Sequence, residues 1–449
     1  MNDLIIRQAL IFTPEGRREG DVRIKDGVIT EIGDVSSSGE EEIDAKGRWL
    51  WPGIIDAHVH FREPGVTHKE DWRSGSRAAV SGGVTTVFDM PNTVPPMTTV
   101  ERLEEKRRLA DEKALCNFGL FFGAGPDNLE EILKAEGVPG LKIFMADSTG
   151  DLLVDKRQDL EKIFANYDGQ ISVHAENQVR MDQREEMFAH REDPAVHSEI
   201  RDDLMAAEAV ALAGTLALIN ERRLHILHMS TRAELEALEA IREEIIARDS
   251  KARVTAEVCP HHLFMDVSAY TRWGTRVQMN PPLRSEEDRR AMWRALNHGD
   301  VDMIATDHAP HRPDEKAQPY RKAPSGVPGV ETSLPLMLDA SFRGMCEYDD
   351  VVEWMAHKPA EIYALEKRGA IREGYAADLV LIDHRMSRTV TDDEQRSRCG
   401  WTPWAGRDLV GWPVLTVVNG HVVYRRDDRG PGQITTDEAV GTEVAVVGS

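Results

Sequence analysis

Short apolar segments alternate with longer amphipathic stretches through the middle of the chain. The stretches between the apolar segments carry apolar residues at helical spacing, most clearly at 200–221 and 232–248. The apolar segments have the length and composition of buried strands and lie at 51–60, 83–90, 114–123, 139–145, 170–176, 223–229, 253–260 and 301–309. Eight strands alternating with helices over about 320 residues predict an α/β fold, a (β/α)8 barrel of the TIM type.

The two ends of the chain have a different pattern. Alternating runs separated by glycine and aspartate turns fill the first fifty residues, and similar runs recur at 377–383 and 414–425. The Asp-Gly pair at 26–27 and the Asn-Gly pair at 419–420 are typical of tight hairpins. Neither end is large enough to fold alone, so we expect a small composite β-sandwich domain from both termini. The predicted divisions are 1–50 plus 372–425 for this domain, 51–371 for the barrel and 426–449 for a polar C-terminal extension.

Composition narrows the class of protein. The 449 residues carry a formal net charge of −23, which argues against nucleic acid or an anionic membrane as the main partner. No apolar run approaches the roughly 20 residues that span a bilayer, and the apolar N-terminal segment is broken by Arg7 and is a poor signal peptide. The cysteines are Cys116, Cys259, Cys346 and Cys399. Their wide spacing predicts reduced thiols in a cytoplasmic protein.

Polar side chains follow the predicted strands at their carboxyl ends. In (β/α)8 barrels this end carries the catalytic residues, whereas chance would distribute polar residues over both ends. The residues concerned are His58, His60, Asp89, Pro91, Asn92, Lys142, His174, His228, Asp307 and His308. The pattern therefore predicts one active site at this end of the barrel.

Several of these residues indicate a metal centre. His58 and His60 lie on the same side of one strand because side chains alternate, so both can reach one ion. His174 and His228, taken singly, could be core histidines. Asp307 could cap the next helix, but it follows an apolar run in which an unpaired carboxylate is costly to bury. The functional interpretation is that Asp307 is a metal ligand that also transfers protons.

Lys142 is the unusual member of this set, because it lies among Leu141, Ile143 and Phe144. Burial would favour its neutral amine, which could react with carbon dioxide to give an anionic carbamate. The alternative is an ordinary lysine at a strand end whose ammonium reaches solvent. Position alone favours that alternative.

Long contiguous motifs add a family resemblance. The segments DAHVHFREPG (56–65), SVHAEN (172–177), ILHMST (226–231) and ATDHAPH (305–311) resemble motifs of the amidohydrolase superfamily. The segments SGGVTTVFDMPNT (81–93), GLKIFMADSTG (140–150), QMNPPLR (278–284) and PSGVPGVETSLPLML (324–338) are similar to those of the dihydroorotases, which are cyclic amidohydrolases. The resemblance covers nearly the whole chain.

The resemblance implies a centre with two divalent ions, for which Zn²⁺ suits the ligands best. One ion would be held by His58, His60 and Asp307, and the other by His174 and His228. Carboxylated Lys142 and a hydroxide would bridge the two ions. Some dihydroorotases carry an aspartate near this position instead, and Asp147 lies five residues further on, so the fourth-strand ligand is either of these residues. We favour Lys142.

The implied reaction is the reversible interconversion of N-carbamoyl-L-aspartate and (S)-dihydroorotate, the third step of de novo pyrimidine (UMP) synthesis. A metal-bound hydroxide would open the ring, and Asp307 would pass its proton to the departing nitrogen. One alternative is another cyclic amidase, an allantoinase or hydantoinase, against which Arg62 and the MPNT segment at 90–93 argue. The other is an inactive dihydroorotase-like subunit of an aspartate transcarbamoylase complex, which would be expected to lose metal ligands.

The resemblance also implies substrate contacts. Arg62 would form a two-pronged hydrogen bond with the substrate carboxylate, although it could instead pair with Glu63 at the rim. The other expected contacts are Asn92, Asn280, His311, Ser325 and Gly326. The resemblance further implies a small-molecule substrate, a homodimer and a possible contact with aspartate transcarbamoylase. We expect neither nucleic acid nor a membrane as a partner.

A second histidine pair stands apart from these motifs. His261 and His262 follow Cys259 and Pro260 at the end of the seventh predicted strand. This group could indicate another metal site, but local packing and loop hydrogen bonding is the favoured interpretation.

Overall fold

The computed structural model describes residues 3–147, 152–427 and 430–446. Its strands are β1 (Leu4–Thr13), β2 (Gly16–Lys25), β3 (Val28–Gly33), β4 (Glu41–Asp44), β5 (Trp49–Pro52), β6 (Ile54–Val59), β7 (Val84–Asp89), β8 (Asn117–Leu120), β9 (Phe122–Gly123), β10 (Leu141–Phe144), β11 (Gln170–His174), β12 (Arg223–Ile226), β13 (Arg253–Val258), β14 (Met303–Ile304), β15 (Leu379–Thr389), β16 (Asp408–Val418), β17 (His421–Arg425) and β18 (Gln433–Ile434).

The helices surround or follow these strands. They are α1 (Trp72–Ser81), α2 (Val100–Asp111), α3 (Leu129–Ile132), α4 (Arg157–Asn166), α5 (Gln178–Met187), α6 (Val196–Ile200), α7 (Asp203–Asn220), α8 (Arg232–Ala247), α9 (Pro260–Phe264), α10 (Ala269–Trp273), α11 (Glu286–His298), α12 (Pro313–Lys316), α13 (Ser333–Phe342), α14 (Tyr348–Val352) and α15 (Lys358–Ile362). A 3-10 turn lies at Gly274–Val277 and a π-helical turn at Glu353–His357.

Parallel strands form the predicted barrel. The strands β6, β7 and β8 pair in sequence order, and β9 to β14 pair in the same way. Only one residue separates β8 from β9, so the two sheets follow one another around the ring. A parallel bridge between Val59 and His308 joins the end of β6 to the segment after β14 and closes the ring. The (β/α)8 prediction is confirmed.

Most of the predicted strands are shorter in the structure, and two of them differ in a way that affects the fold. The segment 51–60 divides at Gly53, whose missing side chain allows close contact with Thr85, so β5 joins a different sheet from β6. In the segment 301–309 only Met303–Ile304 is a regular strand. The chain then turns through Asp307, whose backbone φ is +46°. Asp307 and Ala309 line the active-site cavity, while His308 between them stays bridged to Val59.

A nine-stranded sheet combines the two ends of the chain. β5 pairs with β1 in parallel and with β15 in antiparallel orientation, so strands from both termini share one set of hydrogen bonds. Both predicted hairpin turns are present, with φ of +50° and +76° at Asp26 and Gly27, and +48° and +80° at Asn419 and Gly420. These values suit the turn that matches the twist of hairpin strands. The composite β-sandwich that we predicted is therefore confirmed as part of the fold.

The predicted helices at 200–221 and 232–248 correspond to α7 and α8. A reciprocal capping box of Thr231 and Glu234 starts α8. By length and composition α7 could cross a membrane, which the sequence pattern did not suggest, but it is half buried within the structure. Gly214 of α7 lies against Ile241 of α8, so α7 packs as a core helix of the barrel shell.

The described part of the segment 426–449 is not a free extension. β18 adds to the edge of β17, and Glu443 forms a parallel bridge with Phe118 near the start of β8. Val444 is buried in a cluster with Phe88 and Tyr363. The segment therefore covers the end of the barrel opposite the active site.

Candidate active site

The carboxyl ends of the barrel strands enclose a cavity. It is lined by His58, His60, Arg62, Asn92, Lys142, Phe144, His174, His228, Asn280, Asp307, Ala309, Ser325 and Gly326. Every residue that we predicted for metal or substrate binding lines this cavity, except His311, which contacts Arg62. Phe144 and Ala309 are the two lining residues that the sequence did not predict.

Three predicted ligands converge on one side of the cavity. The Nε2 atoms of His58 and His60 lie 3.3 and 2.9 Å from Oδ1 of Asp307. All three side chains are buried. Burial lowers the pKa of His60 to about 3, although the neighbouring carboxylate opposes this shift. The imidazole is therefore neutral at neutral pH, which is the form that binds a metal ion.

The other two predicted histidines adjoin this group. Nδ1 of His174 lies 2.9 Å from Nε2 of His228. One ligand atom from each of His58, His228 and Asp307 lies within 4.8 Å of the others. The two groups therefore form one continuous cluster of ligands at the carboxyl ends of several strands.

For three of the four histidines, a buried acceptor fixes which nitrogen carries hydrogen. His58 donates from Nδ1 to Glu257 at 2.6 Å, His60 from Nδ1 to the amide oxygen of Asn92 at 2.6 Å, and His174 from Nε2 to Glu176 at 2.7 Å. His58 and His60 thus direct a lone pair from Nε2 towards the Asp307 carboxylate, and His174 directs one from Nδ1 towards His228. The two lone pairs that face the carboxylate are repelled by its oxygen unless a cation lies between the atoms. The residues therefore fit a divalent metal centre.

Lys142 lines the same cavity as the ligand groups and is buried rather than reaching solvent. Only 1% of the residue is exposed, and Nζ lies 4.4 Å from the centre of the Phe144 ring. Burial lowers the pKa of Lys142 to about 7, because the ammonium loses its hydration. A substantial fraction of the amine is then neutral at neutral pH. The solvent-reaching alternative, which position alone favoured, is wrong.

The alternative fourth-strand ligand occupies a different environment. Asp147 is exposed to solvent and is not among the cavity-lining residues. Its backbone N–H donates to Gln178, and its carbonyl oxygen accepts from Arg201. Of the two candidates, Lys142 is thus the one whose side chain borders the ligand cluster.

Arg62 is buried at the edge of the cavity. Its guanidinium lies 3.2 Å from Nε2 of His311 and donates to the carbonyl oxygen of Pro310. The rim pair considered as an alternative is absent from the described residues, because Glu63 forms its ion pair with Lys113. Burial lowers the pKa of Arg62. A buried guanidinium that lines a cavity and has no carboxylate in hydrogen-bond contact in the described chain is suited to an anionic ligand.

The remaining predicted contacts are held by hydrogen bonds within the protein. Asn280 accepts a hydrogen bond from His197 at 2.8 Å. His311 donates from Nε2 to the carbonyl oxygen of Ser325 at 3.0 Å, while its Nδ1 accepts from Lys69. The backbone N–H of Gly326 already donates to the carbonyl of Gln278. The 325–326 loop is therefore fixed beside the cavity.

Three residues of the site adopt left-handed backbone conformations. The φ values are +63° at Arg62, +39° at His228 and +46° at Asp307. Such conformations are uncommon for residues with side chains and cluster at functional sites, where the surrounding structure maintains them. Here the backbone turns at the strand ends direct these side chains into the cavity.

Sequence reasoning missed the acceptors behind the histidines. Glu257 and Glu176 are fully buried and hold His58 and His174, as described above. Burial opposes ionisation of Glu176, but Arg201 and His174 lower its pKa to about 2, so it is a carboxylate. Both residues follow or occupy apolar strands, and a carboxylate in such a segment was the available signal.

Comparison with known proteins identifies relatives of this architecture. An amidohydrolase family model matches residues 49–423. The chain is 38% identical over 442 residues to a dihydroorotase of Methanosarcina acetivorans, covering 95% of this chain and 93% of the relative. It is 39% identical over 431 residues to a dihydroorotase of Halobacterium salinarum, covering 94% and 97%.

Among solved structures, the chain is similar to an L-hydantoinase (dihydropyrimidinase) from Arthrobacter aurescens. The TM-score is 0.91 with 29% identity, and the match covers 99% of this chain and 100% of the other. The family match spans most of the chain and includes every cavity-lining residue. This chain therefore belongs to the amidohydrolase family.

Proposed function

We propose that this protein is a dihydroorotase, which interconverts N-carbamoyl-L-aspartate and (S)-dihydroorotate in de novo pyrimidine synthesis. The observation that carries the proposal is a buried arginine beside a cluster of metal ligands in one cavity. The sequence relatives named dihydroorotase, at 38% and 39% identity over nearly the whole chain, support this substrate. A hydrolase that acts on a cyclic amide requires both a means of activating water and a means of recognising the ring.

The ligand cluster would hold two divalent ions, with Zn²⁺ the best match to histidine and carboxylate ligands. His58, His60 and Asp307 would bind one ion, and His174 and His228 the other. Lys142, as a carbamate formed with carbon dioxide, would contribute to both. When bound, the ions would lower the pKa of water towards 7 and polarise a carbonyl oxygen.

We propose that Asp307 transfers the proton during the reaction. Its carboxylate contacts two histidine ligands and borders the cavity, so it can accept a proton from the attacking water and deliver it to the ring nitrogen that leaves. In the reverse direction it would remove a proton from the attacking ureido nitrogen of N-carbamoyl-aspartate. One residue thus serves both directions of the reaction.

Arg62 would recognise the carboxylate of dihydroorotate. Its guanidinium can form two parallel hydrogen bonds with a carboxylate, which is the strongest form of this contact. Asn92 and Asn280 would contact the ring, and His311 with the Ser325–Gly326 loop would complete the pocket wall.

A hydantoinase is the second candidate, because structural neighbours such as the Arthrobacter aurescens enzyme carry that name. Hydantoins lack a carboxylate at the equivalent place, so they would leave the buried charge of Arg62 without a partner. The third candidate, an inactive subunit, is disfavoured because all the expected ligands are present in the described chain.

The test presents the zinc-loaded protein with dihydroorotate, allantoin and hydantoin under identical conditions and follows ring opening. We expect preferential opening of dihydroorotate, and an Asp307→Asn control should lose it. Preferential opening of another ring would overturn the substrate assignment. No ring opening by protein that holds two ions per chain would instead favour the inactive subunit.

The cellular location and the association state of the enzyme are also predictions. We expect a cytoplasmic homodimer, and a contact with aspartate transcarbamoylase would bring consecutive reactions together. Gel filtration combined with light scattering, alone and with the transcarbamoylase, tests both associations.

A further inference from the structure

A second cluster of potential metal ligands lies at the turn between β13 and α9. Cys259 follows β13, and His261 and His262 lie in the first turn of α9. One ligand atom from each of the three residues lies within 4.8 Å of the others. All three side chains are at most 3% exposed. None of them is among the residues that line the active-site cavity.

One buried nitrogen of each histidine in this cluster lacks a hydrogen-bond partner within the described residues. Nε2 of His262 donates to the carbonyl oxygen of Pro281 at 3.2 Å, which leaves Nδ1 with a lone pair. In the described part of the chain, neither this Nδ1 nor Nε2 of His261 has a hydrogen-bond partner. Buried polar atoms without partners are rare and costly, and a bound ion is one common explanation.

The protonation states of the histidines suit a metal. Burial lowers the pKa of His261 to about 4 and holds the pKa of His262 well below its ordinary value, so both rings are neutral at neutral pH. Burial also raises the pKa of the Cys259 thiol, so the sulfur keeps its proton until a cation displaces it. Thiolate and imidazole are the ligands of zinc sites.

We propose that Cys259, His261 and His262 form a further metal site, separate from the active-site ions, for a borderline-soft divalent cation such as Zn²⁺. On binding, a metal–sulfur bond forms, the S–H bond breaks and the proton leaves to solvent. The ion would tie the end of β13 to α9. Through His262 and Pro281 it would also steady Asn280 in the cavity wall. The site does not depend on the proposed reaction.

The experiment uses cobalt as a spectroscopic probe. The full-length protein is freed of metal with a chelator and titrated with Co²⁺ without oxygen. Cobalt bound to a thiolate absorbs strongly in the near ultraviolet, whereas histidine and carboxylate ligands give no such band. We expect one Co²⁺ per chain to produce the band. Cys259→Ser should abolish it, and Cys399→Ser, at another buried cysteine, should retain it.

Two results would overturn the proposal: no near-ultraviolet band when the wild-type protein is saturated with Co²⁺, or a band that persists in Cys259→Ser. A second measurement needs no variant. In ¹¹³Cd NMR of the wild-type protein, a sulfur ligand should shift one resonance far downfield of those from nitrogen and oxygen sites. Absence of that resonance would also refute the site, whereas His262→Gln should weaken Co²⁺ binding there by roughly tenfold or more.

Discussion

At the scale of single residues, Lys142 is the side chain whose role depends most on burial. We expect Lys142→Ala to lose at least one bound ion and to reduce kcat/KM by roughly 100-fold or more. Mutation of residues that only orient metal ligands already lowers metal affinity or activity by about 10–100-fold. Metal content by mass spectrometry and ring-opening assays measure both effects. Lys134→Ala, at an exposed position, is the control. Normal turnover with two ions in Lys142→Ala would exclude the carbamate.

Arg62 carries the second prediction at this scale. Arg62→Met should remove a charge-assisted pair of hydrogen bonds worth about 1.5–3 kcal/mol, which corresponds to a loss of about 10–150-fold in kcat/KM for dihydroorotate. Any slow hydantoin turnover should be spared, because that ring offers no carboxylate. Arg62→Lys, which keeps the charge without the planar fork, should recover part of the activity. Equal losses of kcat/KM on both substrates would show that Arg62 does not select the substrate.

At the scale of elements, the loop at 325–326 depends on a glycine. Gly326 has a φ of +136°, and a Cβ there would lie 2.5 Å from the carbonyl oxygen of Ala309. Gly326→Ala should displace the loop and disturb the contact between His311 and Ser325. Misplacement of groups by about 1 Å can cost 100-fold, so we expect kcat/KM to fall at least tenfold.

Gly16 provides the matched control for this loop. Its φ is +122°, yet a Cβ added there would have no other atom within 4 Å. Gly16→Ala should therefore lower thermal stability through backbone strain and leave kcat/KM unchanged. Wild-type activity in Gly326→Ala would show that the loop does not need its observed conformation.

At the scale of the whole molecule, the C-terminal segment contributes to the barrel core. Val444 is 3% exposed and packs in the cluster that contains Phe88 and Tyr363. Val444→Ala should reduce the free energy of unfolding by about 2 kcal/mol, from lost burial and the resulting cavity. Thermal or urea unfolding measures the change. As a control, Val179→Ala at an exposed site on α5 should change the free energy of unfolding by less than about 0.5 kcal/mol. Equal changes in the two variants would place Val444 outside the core.

Local patterns in the sequence determined much of the fold. Strand and helix periodicity predicted the barrel, because the direction of side chains along an element depends only on near neighbours. The Asp-Gly and Asn-Gly turns were equally predictable, since each depends on two residues with positive φ. The positions of His58, His60, His174, His228 and Asp307 at strand ends also followed from the sequence, because parallel strands of a barrel bring their carboxyl ends together.

Only the tertiary structure decided the environments of these residues. Glu257 reaches His58 across 199 positions of the chain, and no local pattern predicts that contact. The choice between Lys142 and Asp147 likewise depends on which side chain the neighbouring strands bury. Hydrogen-bond partners, burial and the resulting pKa values arise from groups distant in sequence, so they are fixed only when the barrel closes.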